Sequence, residues 1–310
     1  MNQGNFARGL IALLILVAAP PVASAGIIHG WGTDSYGIMS GIPAGNQFVE
    51  ASSWEQHALG LRSDGTIVAW GSNGSGESTV PAVSFIDIAT GVGTSYAIRA
   101  DGTIAAWGYD GFGQLSAAPI SGTFTKISAG RLHATALRAD GTAMAWGLSG
   151  GSGLGSFVDV SSGMDWSLGV RSDGTLYAWG AQNAYNQFTV PVGNNFVAAA
   201  AGSFHGVAIR TDGTLTAWGE SSFGALIVPA GNNYVAVAAG HMHSIAMRAD
   251  GTLVAWGLND FNQNNVNPTD QYTSIAAGNR MHLAINVPEP ATAAAAGMFL
   301  LSALGLRRRR

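Results

Sequence analysis

The chain of 310 residues contains no cysteine, which excludes disulfides and thiolate metal sites. Charged residues are also scarce, at 10% of the chain, and the body of the sequence shows no amphipathic helical spacing. Glycine, by contrast, occupies 44 positions. Much glycine and little charge favour short strands and tight turns, so we predict an all-β protein that is held together by packing alone.

Basic residues are few in the body of the chain. Arginines at position 8 and at positions 307–310 account for five of the 14 basic residues. With these and Glu289 set aside, residues 26–286 carry a net charge near −8. Such a body repels a phosphate backbone, so we expect no nucleic-acid partner.

The first 25 residues have the pattern of a secretory signal peptide. Arg8 precedes an unbroken apolar run at residues 10–19, and Ala23-Ser24-Ala25 provides small residues for a signal peptidase. We predict cleavage after Ala25 and export. A retained membrane helix is the alternative, but the apolar run is short for a membrane span.

The last 24 residues, 287–310, combine three parts: Pro288-Glu289-Pro290, an uncharged stretch at 291–306, and four arginines. As a helix, the uncharged stretch would be about 24 Å long, a marginal membrane span. This tail resembles the PEP-CTERM sorting signal of Gram-negative bacteria. The resemblance implies an exosortase-type protease as partner, transient anchoring in the inner membrane through residues 291–306, and a final location at the cell surface or in the extracellular matrix. A plain membrane anchor is the alternative.

A repeated unit fills the middle of the chain. Seven Trp-Gly pairs occur at spacings of 39, 37, 39, 33, 39 and 38 residues, a period typical of solenoids and propellers. Six of them end an Arg-x-Asp-Gly…Trp-Gly segment, at 62–71, 99–108, 138–147, 171–180, 210–219 and 248–257. Two apolar runs joined by Asp-Gly predict a β-hairpin, because glycine accepts positive φ without strain.

A further strand is predicted at each aromatic-led run. These runs begin at Phe48, Phe85, Phe124, Phe157, Phe196, Tyr234 and Tyr272. A weaker fourth strand is predicted at the edge of some sheets, before prolines as in Thr79-Val80-Pro81. The short spacing between Trp146 and Trp179 lacks this segment. We therefore predict that this unit has no outer strand.

The numbers of these parts do not match. Seven aromatic-led strands and seven Trp-Gly strands share only six Asp-Gly hairpins, leaving one Trp-Gly strand at 27–32 and one second strand at 281–286. If these two pair, the chain forms a closed ring without exposed sheet edges. The prediction is one domain over residues 26–286, a monomeric seven-bladed β-propeller closed by pairing of the N-terminal strand with the last blade.

The repeats resemble the regulator-of-chromosome-condensation repeat. Gly202-Ser203-Phe204-His205 and Gly240-His241-Met242-His243 match its Gly-x-x-His element, and Gly113-Gln114-Leu115 is the one good copy of its final segment. The resemblance covers about residues 26–286 and implies a seven-bladed propeller. The overall pattern is most similar to secreted bacterial propellers, including β-lactamase inhibitor propellers.

Four histidines share one repeat position: His57, His133, His205 and His243. A metal or ligand ring on the propeller axis is one interpretation. Because Thr, Trp and Met fill the position elsewhere, hydrogen bonding to the backbone of a neighbouring blade explains it more simply. The Arg-x-Asp-Gly elements are likewise interpreted as turns and contacts at blade edges. The Gly-x-Ser-x-Gly sequence at 147–151 lacks the helix that a nucleophile elbow requires.

The loops after Trp-Gly contain the candidate partner contacts. These residues are Tyr36, Tyr109, Asp110, Phe112, Tyr185, Phe223, Asp260 and Phe261. Their aromatic rings suit a protein or glycan surface, and their acids leave calcium binding open. We predict no catalytic residues, cofactor or metal. The leading hypothesis is a non-enzymatic module that binds a surface protein or polysaccharide, and the alternative is a secreted inhibitor of an extracellular enzyme.

Overall fold

A computed structural model describes residues 25–148, 150–181 and 183–286. The signal-peptide and sorting-signal predictions fall almost entirely outside these residues. The strands are β1 (Ile27–Gly32), β2 (Phe48–Ser53), β3 (His57–Arg62), β4 (Ile67–Gly71), β5 (Phe85–Thr90), β6 (Thr94–Arg99), β7 (Ile104–Gly108), β8 (Phe124–Ala129), β9 (His133–Arg138), β10 (Ala143–Gly147), β11 (Gly151–Ser152), β12 (Phe157–Ser162), β13 (Trp166–Arg171), β14 (Leu176–Gly180), β15 (Phe196–Ala201), β16 (His205–Arg210), β17 (Leu215–Gly219), β18 (Tyr234–Ala239), β19 (His243–Arg248), β20 (Leu253–Gly257), β21 (Tyr272–Ala277) and β22 (Met281–Asn286). Two 3-10 turns lie at Ser35–Gly37 and Ser222–Gly224. Within the described ranges no helix is long and apolar enough to cross a membrane.

The strands form seven antiparallel sheets, the blades of a propeller. Blades 1 to 6 contain β2–β4, β5–β7, β8–β11, β12–β14, β15–β17 and β18–β20, and blade 7 contains β21, β22 and β1. In each blade the aromatic-led strand is innermost, the second strand comes next and the Trp-Gly strand follows it; in blade 3, β11 lies outside the Trp-Gly strand. All seven leading aromatic side chains are buried in the packing between blades. The predicted fold class is confirmed.

Blade 7 is completed by the N-terminal strand. Strand β1 runs antiparallel to β22, from the pair Ile27 and Asn286 to the pair Gly32 and Met281. Ile28 is buried in one cluster with residues of blade 1 and of β22, including Phe48 and Leu283. The closure predicted from the unequal strand counts is therefore present.

The six Asp-Gly turns share one geometry. In the first, Asp64 Oδ1 accepts hydrogen bonds from the Thr66 backbone N–H at 2.9 Å and from its hydroxyl at 2.7 Å, and Gly65 has φ 83°. The turn interpretation is correct. The arginine does not form an ion pair with this aspartate, because Arg62 instead stacks 5.5 Å from the centre of the Phe48 ring. Four other blades repeat this cation–π contact.

Five of the seven Trp-Gly strands are tied to the loop of the preceding blade by a tryptophan hydrogen bond. Trp107 Nε1, for example, donates to the Glu77 carbonyl at 2.8 Å, and Trp146 Nε1 donates to the Gln114 carbonyl at 2.9 Å. The glycine that follows is also required, because a side chain would not fit at this position. Gly71 has φ 92°, and a Cβ there would lie 2.6 Å from the Gln56 carbonyl oxygen. The tryptophan therefore joins blade to blade, and the glycine lets the end of its strand pack closely against its own blade.

The predictions about the fourth strand are wrong. Thr79-Val80-Pro81 forms no strand, whereas the short loop of blade 3 contains β11, which pairs with Met144 and Ala145 of β10. Proline has no backbone N–H to donate to a neighbouring strand. The long loops instead leave their own sheet and accept the hydrogen bond of the next blade's tryptophan. The short loop of blade 3 folds back on its own sheet instead. As a result, Trp179 Nε1 has no hydrogen-bond partner among the described residues.

The strand order gives the propeller two distinct faces. Because Gly71 at the end of β4 pairs with His57 at the start of β3, the loops after Trp-Gly share a face with the connections between inner and middle strands. We call this the loop face. The opposite side carries the Asp-Gly turns and is called the hairpin face. Inner strands line a central channel with a volume of about 200 Å³.

Candidate functional site

The aromatic side chains of the predicted contact loops all lie on the loop face and are exposed. Their exposed fractions range from 37% for Phe261 to 64% for Phe223, and the others are Tyr36, Tyr109, Phe112 and Tyr185. Every other Phe, Tyr and Trp of the described residues is buried or half-buried. The structure thus places the six candidates on one side of a ring, spaced around its blades.

Three of these aromatics are held by a buried glutamine two residues later. Gln114 Oε1 accepts a hydrogen bond from the Phe112 backbone N–H at 2.8 Å. Gln187 does the same for Tyr185 at 2.9 Å, and Gln263 for Phe261 at 2.9 Å. Since each amide is fully or almost fully buried, the turn that displays the ring is anchored in the protein interior.

Two of these glutamine turns were missed in the sequence. Only the segment at Gly113-Gln114 was identified as a copy of the final repeat element, because the others have asparagine where glycine is expected. Asn186 and Asn262 occupy that position with φ of 59° and 60°. Asparagine tolerates the left-handed region better than most residues, so the same turn forms. Reading Asn-Gln as equivalent to Gly-Gln would have found both turns.

The two acidic candidates have local structural bonds. Asp110 Oδ1 accepts hydrogen bonds from the backbone N–H groups of Leu115 and Ser116, at 2.7 and 3.1 Å. These bonds lower the pKa of the Asp110 carboxyl. Asp260 accepts from Gln263 Nε2 at 3.1 Å. Each acid therefore helps to close its own loop. No group of three or more His, Asp or Glu side chains in the described ranges is arranged to hold a metal ion.

Tyr36 and Phe223 adopt an unfavourable backbone conformation. Their φ angles are 61° and 58°, in the left-handed region. For a bulky residue this costs about 1–2 kcal/mol relative to glycine. Neither ring recovers this cost by burial, because their exposed fractions are 58% and 64%. The loops thus display an aromatic side chain where glycine would be less strained.

This strain gives a first prediction. We expect Phe223→Gly to be more stable than Phe223→Ala by roughly 0.5–1 kcal/mol, because glycine relieves the left-handed strain but adds chain entropy to the unfolded state. Tyr109, another exposed aromatic with negative φ, provides the control, and Tyr109→Gly should be less stable than Tyr109→Ala. Urea denaturation of the four variants measures both differences. The same order at both sites would contradict the strain argument.

Two groups of side chains extend the aromatic surface along the loop face. Tyr185 lies 4.9 Å from Phe204 between ring centres, and Phe204 lies 5.3 Å from His241, which links blades 4, 5 and 6. Farther round the ring, the guanidinium of Arg280 stacks 5.0 Å from the centre of the Phe261 ring. Phe204, His241 and Arg280 belong to the connections between inner and middle strands and were not identified as contacts from the sequence.

The four repeated histidines do not face the axis. They begin middle strands and are buried, and His57, His133 and His205 place Nε2 at 2.7, 3.1 and 2.8 Å from serine hydroxyls of the next blade. Only His243 contacts a backbone carbonyl, that of Met281 at 3.4 Å. The structural interpretation is correct, but the partner is usually a side chain. Burial lowers the pKa of His57, His133 and His243 to about 4.

A charged cluster in the channel was also missed. Glu50, Asp87, Lys126 and Asp159 occupy the third position of the inner strands of blades 1 to 4, and Lys126 forms an ion pair with Asp159. Burial is the main cause that raises the pKa of Glu50 and of Asp87, and the charge of Asp87 raises that of Glu50 further. Lys126 opposes both shifts. Glu50 and Asp87 thus act as a pair that favours one shared proton.

The hairpin face exposes aliphatic rather than aromatic side chains. Ile86, Val158, Val197 and Val235 stand at the second position of their inner strands, with exposed fractions of 50–57%. Each lies at a β-bulge, where two residues oppose one on the middle strand. The hairpin face therefore provides a chemically different surface of similar exposure for comparison.

The architecture and the repeated blade unit define the class of protein: a seven-bladed β-propeller built from one sequence repeat. Four segments, residues 51–77, 124–153, 196–225 and 234–263, match the Regulator of chromosome condensation (RCC1) repeat. These segments contribute to blades 1, 3, 5 and 6. The recognition of this repeat from the sequence is confirmed.

Solved structures share the fold at low sequence identity. Prp20p from Saccharomyces cerevisiae, described with its binding properties to Gsp1p and histones, is 17% identical with a TM-score of 0.73, covering 91% of this chain and 96% of that chain. Human WBSCR16 is 15% identical with a TM-score of 0.71, covering 86% and 100%. The ectodomain of the Physcomitrella patens receptor kinase CR4 is 20% identical with a TM-score of 0.64, covering 75% and 69%. No curated protein sequence matches the chain significantly.

Proposed function

We propose that the protein is an exported, non-enzymatic binding module of the cell surface or extracellular matrix, and that its loop face contacts the partner. The observation that carries the proposal is the set of six exposed aromatic rings on that face. Rigid aromatic side chains supply large contact areas at low cost in conformational entropy. The predicted signal peptide and the PEP-CTERM-like tail motivate the location.

The scaffold is rigid, which suits binding better than catalysis that depends on moving loops. Ring closure by β1 and the tryptophan bonds between blades fix the loops relative to one another. At Phe112, Tyr185 and Phe261 the backbone is also bonded to a buried glutamine. A surface that is ordered before binding loses little entropy on association. The partner is a surface protein or polysaccharide, and the module acts as a monomer.

A pull-down on the native host's extracellular polysaccharide and surface proteins tests the proposal. We expect the purified protein to be retained, and the triple variant Tyr109→Ala, Phe112→Ala, Phe223→Ala to bind at least tenfold more weakly, since aromatic contacts dominate interface energies. The matched control is Ile86→Ser, Val158→Ser, Val235→Ser on the hairpin face. Both triple variants should keep the circular dichroism spectrum of the intact protein.

Two outcomes would reject this function. No retention of the intact protein on either material would remove the evidence for a surface-binding role, and equal loss in the control variant would move the contact surface to the hairpin face. The alternative is a secreted enzyme inhibitor. Nanomolar inhibition in a panel of extracellular enzymes that includes β-lactamases, without retention on the surface material, would favour that function instead.

A further inference from the structure

A cleft on the loop face lies where the ring closes, between blades 7 and 1. It has a volume of about 310 Å³, within the usual size range of small-molecule sites. Its lining includes Tyr36 from the loop after β1, Phe261 from the loop of blade 6, and Glu55, Asn279 and Arg280 from connections between inner and middle strands. The cleft thus combines two exposed aromatic rings with three planar polar groups.

The charged groups of this cleft are available for a ligand. Neither Arg280 nor Glu55 forms an ion pair with another residue of the described ranges. The contrast is blades 3 and 4, where Arg131 and Asp165 of the same connections form an ion pair at 2.7 Å. Arg280 is also fixed in place, because its guanidinium stacks on Phe261 and its carbonyl accepts a hydrogen bond from the Thr33 N–H at 3.1 Å.

This combination fits a sugar better than an apolar peptide. One face of a pyranose ring carries C–H groups, whose weak positive charge matches the negative face of an aromatic ring such as Tyr36. The ring edge carries hydroxyls that both donate and accept hydrogen bonds. A guanidinium, a carboxylate and an amide together supply both kinds of partner. An apolar peptide side chain would leave these groups desolvated and unpaired.

The charges of the cleft favour a neutral sugar over a uronic acid. Arg280 provides one positive charge, but Glu55 lies in the same lining and Asp260 is nearby. Their mixed influence is seen at His241, whose pKa is lowered by burial and further by Arg280, while Asp260 and Glu55 oppose the shift. With a net charge near −8 on the body of the chain, a polyanion would meet overall repulsion.

We propose that this cleft binds a neutral hexose unit of an oligosaccharide or polysaccharide, with Tyr36 and Phe261 as aromatic walls and Arg280, Glu55 and Asn279 as hydroxyl partners. This inference rests on the proposed binding function and assigns one ligand class to one part of the loop face. A longer glycan would continue from the cleft across neighbouring loops.

Isothermal titration of the purified protein with cellohexaose, maltohexaose and mannohexaose tests the inference, with hexaguluronate as the charged comparison. We expect at least one neutral hexasaccharide to bind, at least tenfold more tightly than hexaguluronate. Tyr36→Ala and Arg280→Ala should each weaken that binding at least tenfold. The control is Val235→Ser on the hairpin face, which changes a side chain of similar exposure away from the cleft and should change the affinity less than twofold.

The outcomes separate this inference from the general function. The sugar assignment would be overturned if only hexaguluronate bound, if none of the hexasaccharides bound, or if Val235→Ser weakened binding as much as Tyr36→Ala does. If retention on surface proteins from the host persists in those cases, the binding module stands and only its ligand class at this cleft is wrong. Loss of both retention and sugar binding would reject the two proposals together.

Discussion

Removal of residues 26–32 should lower the unfolding temperature of the protein by roughly 10 °C or more, because a loss of several kcal/mol shifts Tm by about 2–4 °C per kcal/mol in a domain of this size. The deletion removes the whole of β1 and so opens the edge of β22. It also removes Ile28 from the cluster that joins the last and first blades. The unpaired edge of β22 offers free backbone N–H and C=O groups to another chain, so we expect self-association as well as lower stability.

A matched pair of substitutions separates ring closure from mere shortening of the chain. Ile28 is 3% exposed, whereas its neighbour Ile27 is 36% exposed on the other side of the same strand. Ile28→Ala should cost about 2–5 kcal/mol through lost burial and a residual cavity. Ile27→Ala should cost about 0.5 kcal/mol or less. Calorimetry measures the loss of stability in both substitution variants, and light scattering reports association of the deletion variant.

The closure model fails under either of two results. One is a deletion variant that remains monomeric and unfolds at the temperature of the intact protein. The other is an equal effect of Ile27→Ala and Ile28→Ala, which would mean that β1 does not insert one face between blades.

The fold was predictable because its signals are local and repeated. Each blade is marked in the sequence by an aromatic residue, an Asp-Gly turn and a Trp-Gly end. The glycines have a direct backbone reason, such as the positive φ of Gly65 or the close approach of the backbone at Gly71. Closure followed from unequal counts of these parts. No single contact had to be foreseen, because β1 and β22 were the only elements left unpaired.

The missed features depend on register or on contacts between blades. Glu50 faces the channel because a bulge at the second residue of β2 places Phe48 opposite Arg62 and Glu50 opposite Leu61. A strict two-residue alternation does not show this shift. The outer strand of blade 3 was missed for a different reason: the short loop was interpreted as a deletion of a strand, although its short length is what allows Gly151 to fold back on β10.

The histidine partners, by contrast, were present in the sequence. In three of the four cases, the blade that follows the histidine has a serine one residue after the equivalent repeat position. These pairs are Ser95 after His57, Ser167 after His133 and Ser244 after His205. His243 is followed by His282 instead, and it is the one histidine that contacts a backbone carbonyl. Comparing equivalent positions in adjacent blades would have distinguished side-chain from backbone bonding.

These buried histidines lead to the second large effect, a loss of stability in mild acid. Burial lowers the pKa of His57, His133 and His243 to about 4, and burial with the nearby His243 and His241 lowers that of His205 to about 3. His282, in ring contact with His243 at 4.6 Å, is lowered as well. In the unfolded chain each histidine takes up its proton near pH 6.5.

The sign of the effect follows from these differences. As the pH falls below about 6.5, the unfolded chain binds protons that the folded chain excludes, so the free energy of unfolding decreases until the pH reaches the folded pKa near 4. Each of these histidines then contributes a loss of about 3 kcal/mol, against a typical total stability of about 5–15 kcal/mol. The raised pKa values of Glu50 and Asp87 act in the opposite direction and offset part of the loss. We therefore expect the protein to unfold between pH 6.5 and 4.

Urea denaturation at pH 7.5, 6.5, 5.5 and 4.5 measures the slope of the free energy of unfolding against pH. His205→Gln should reduce it by up to about 1.4 kcal/mol per pH unit, the contribution of one proton. Ser244→Ala is the matched control, because it removes the hydrogen bond to His205 but keeps the titrating ring; it should lower stability at pH 7.5 and leave the slope unchanged.

A constant free energy of unfolding between pH 7.5 and 4.5, or the same slope in His205→Gln as in the intact protein, would show that the histidines do not control acid stability. If His205→Gln does not fold, proton NMR of the intact protein decides instead. The imidazole signals of the buried rings should then show no titration above pH 5, since protonating a ring enclosed between two blades requires the blades to separate.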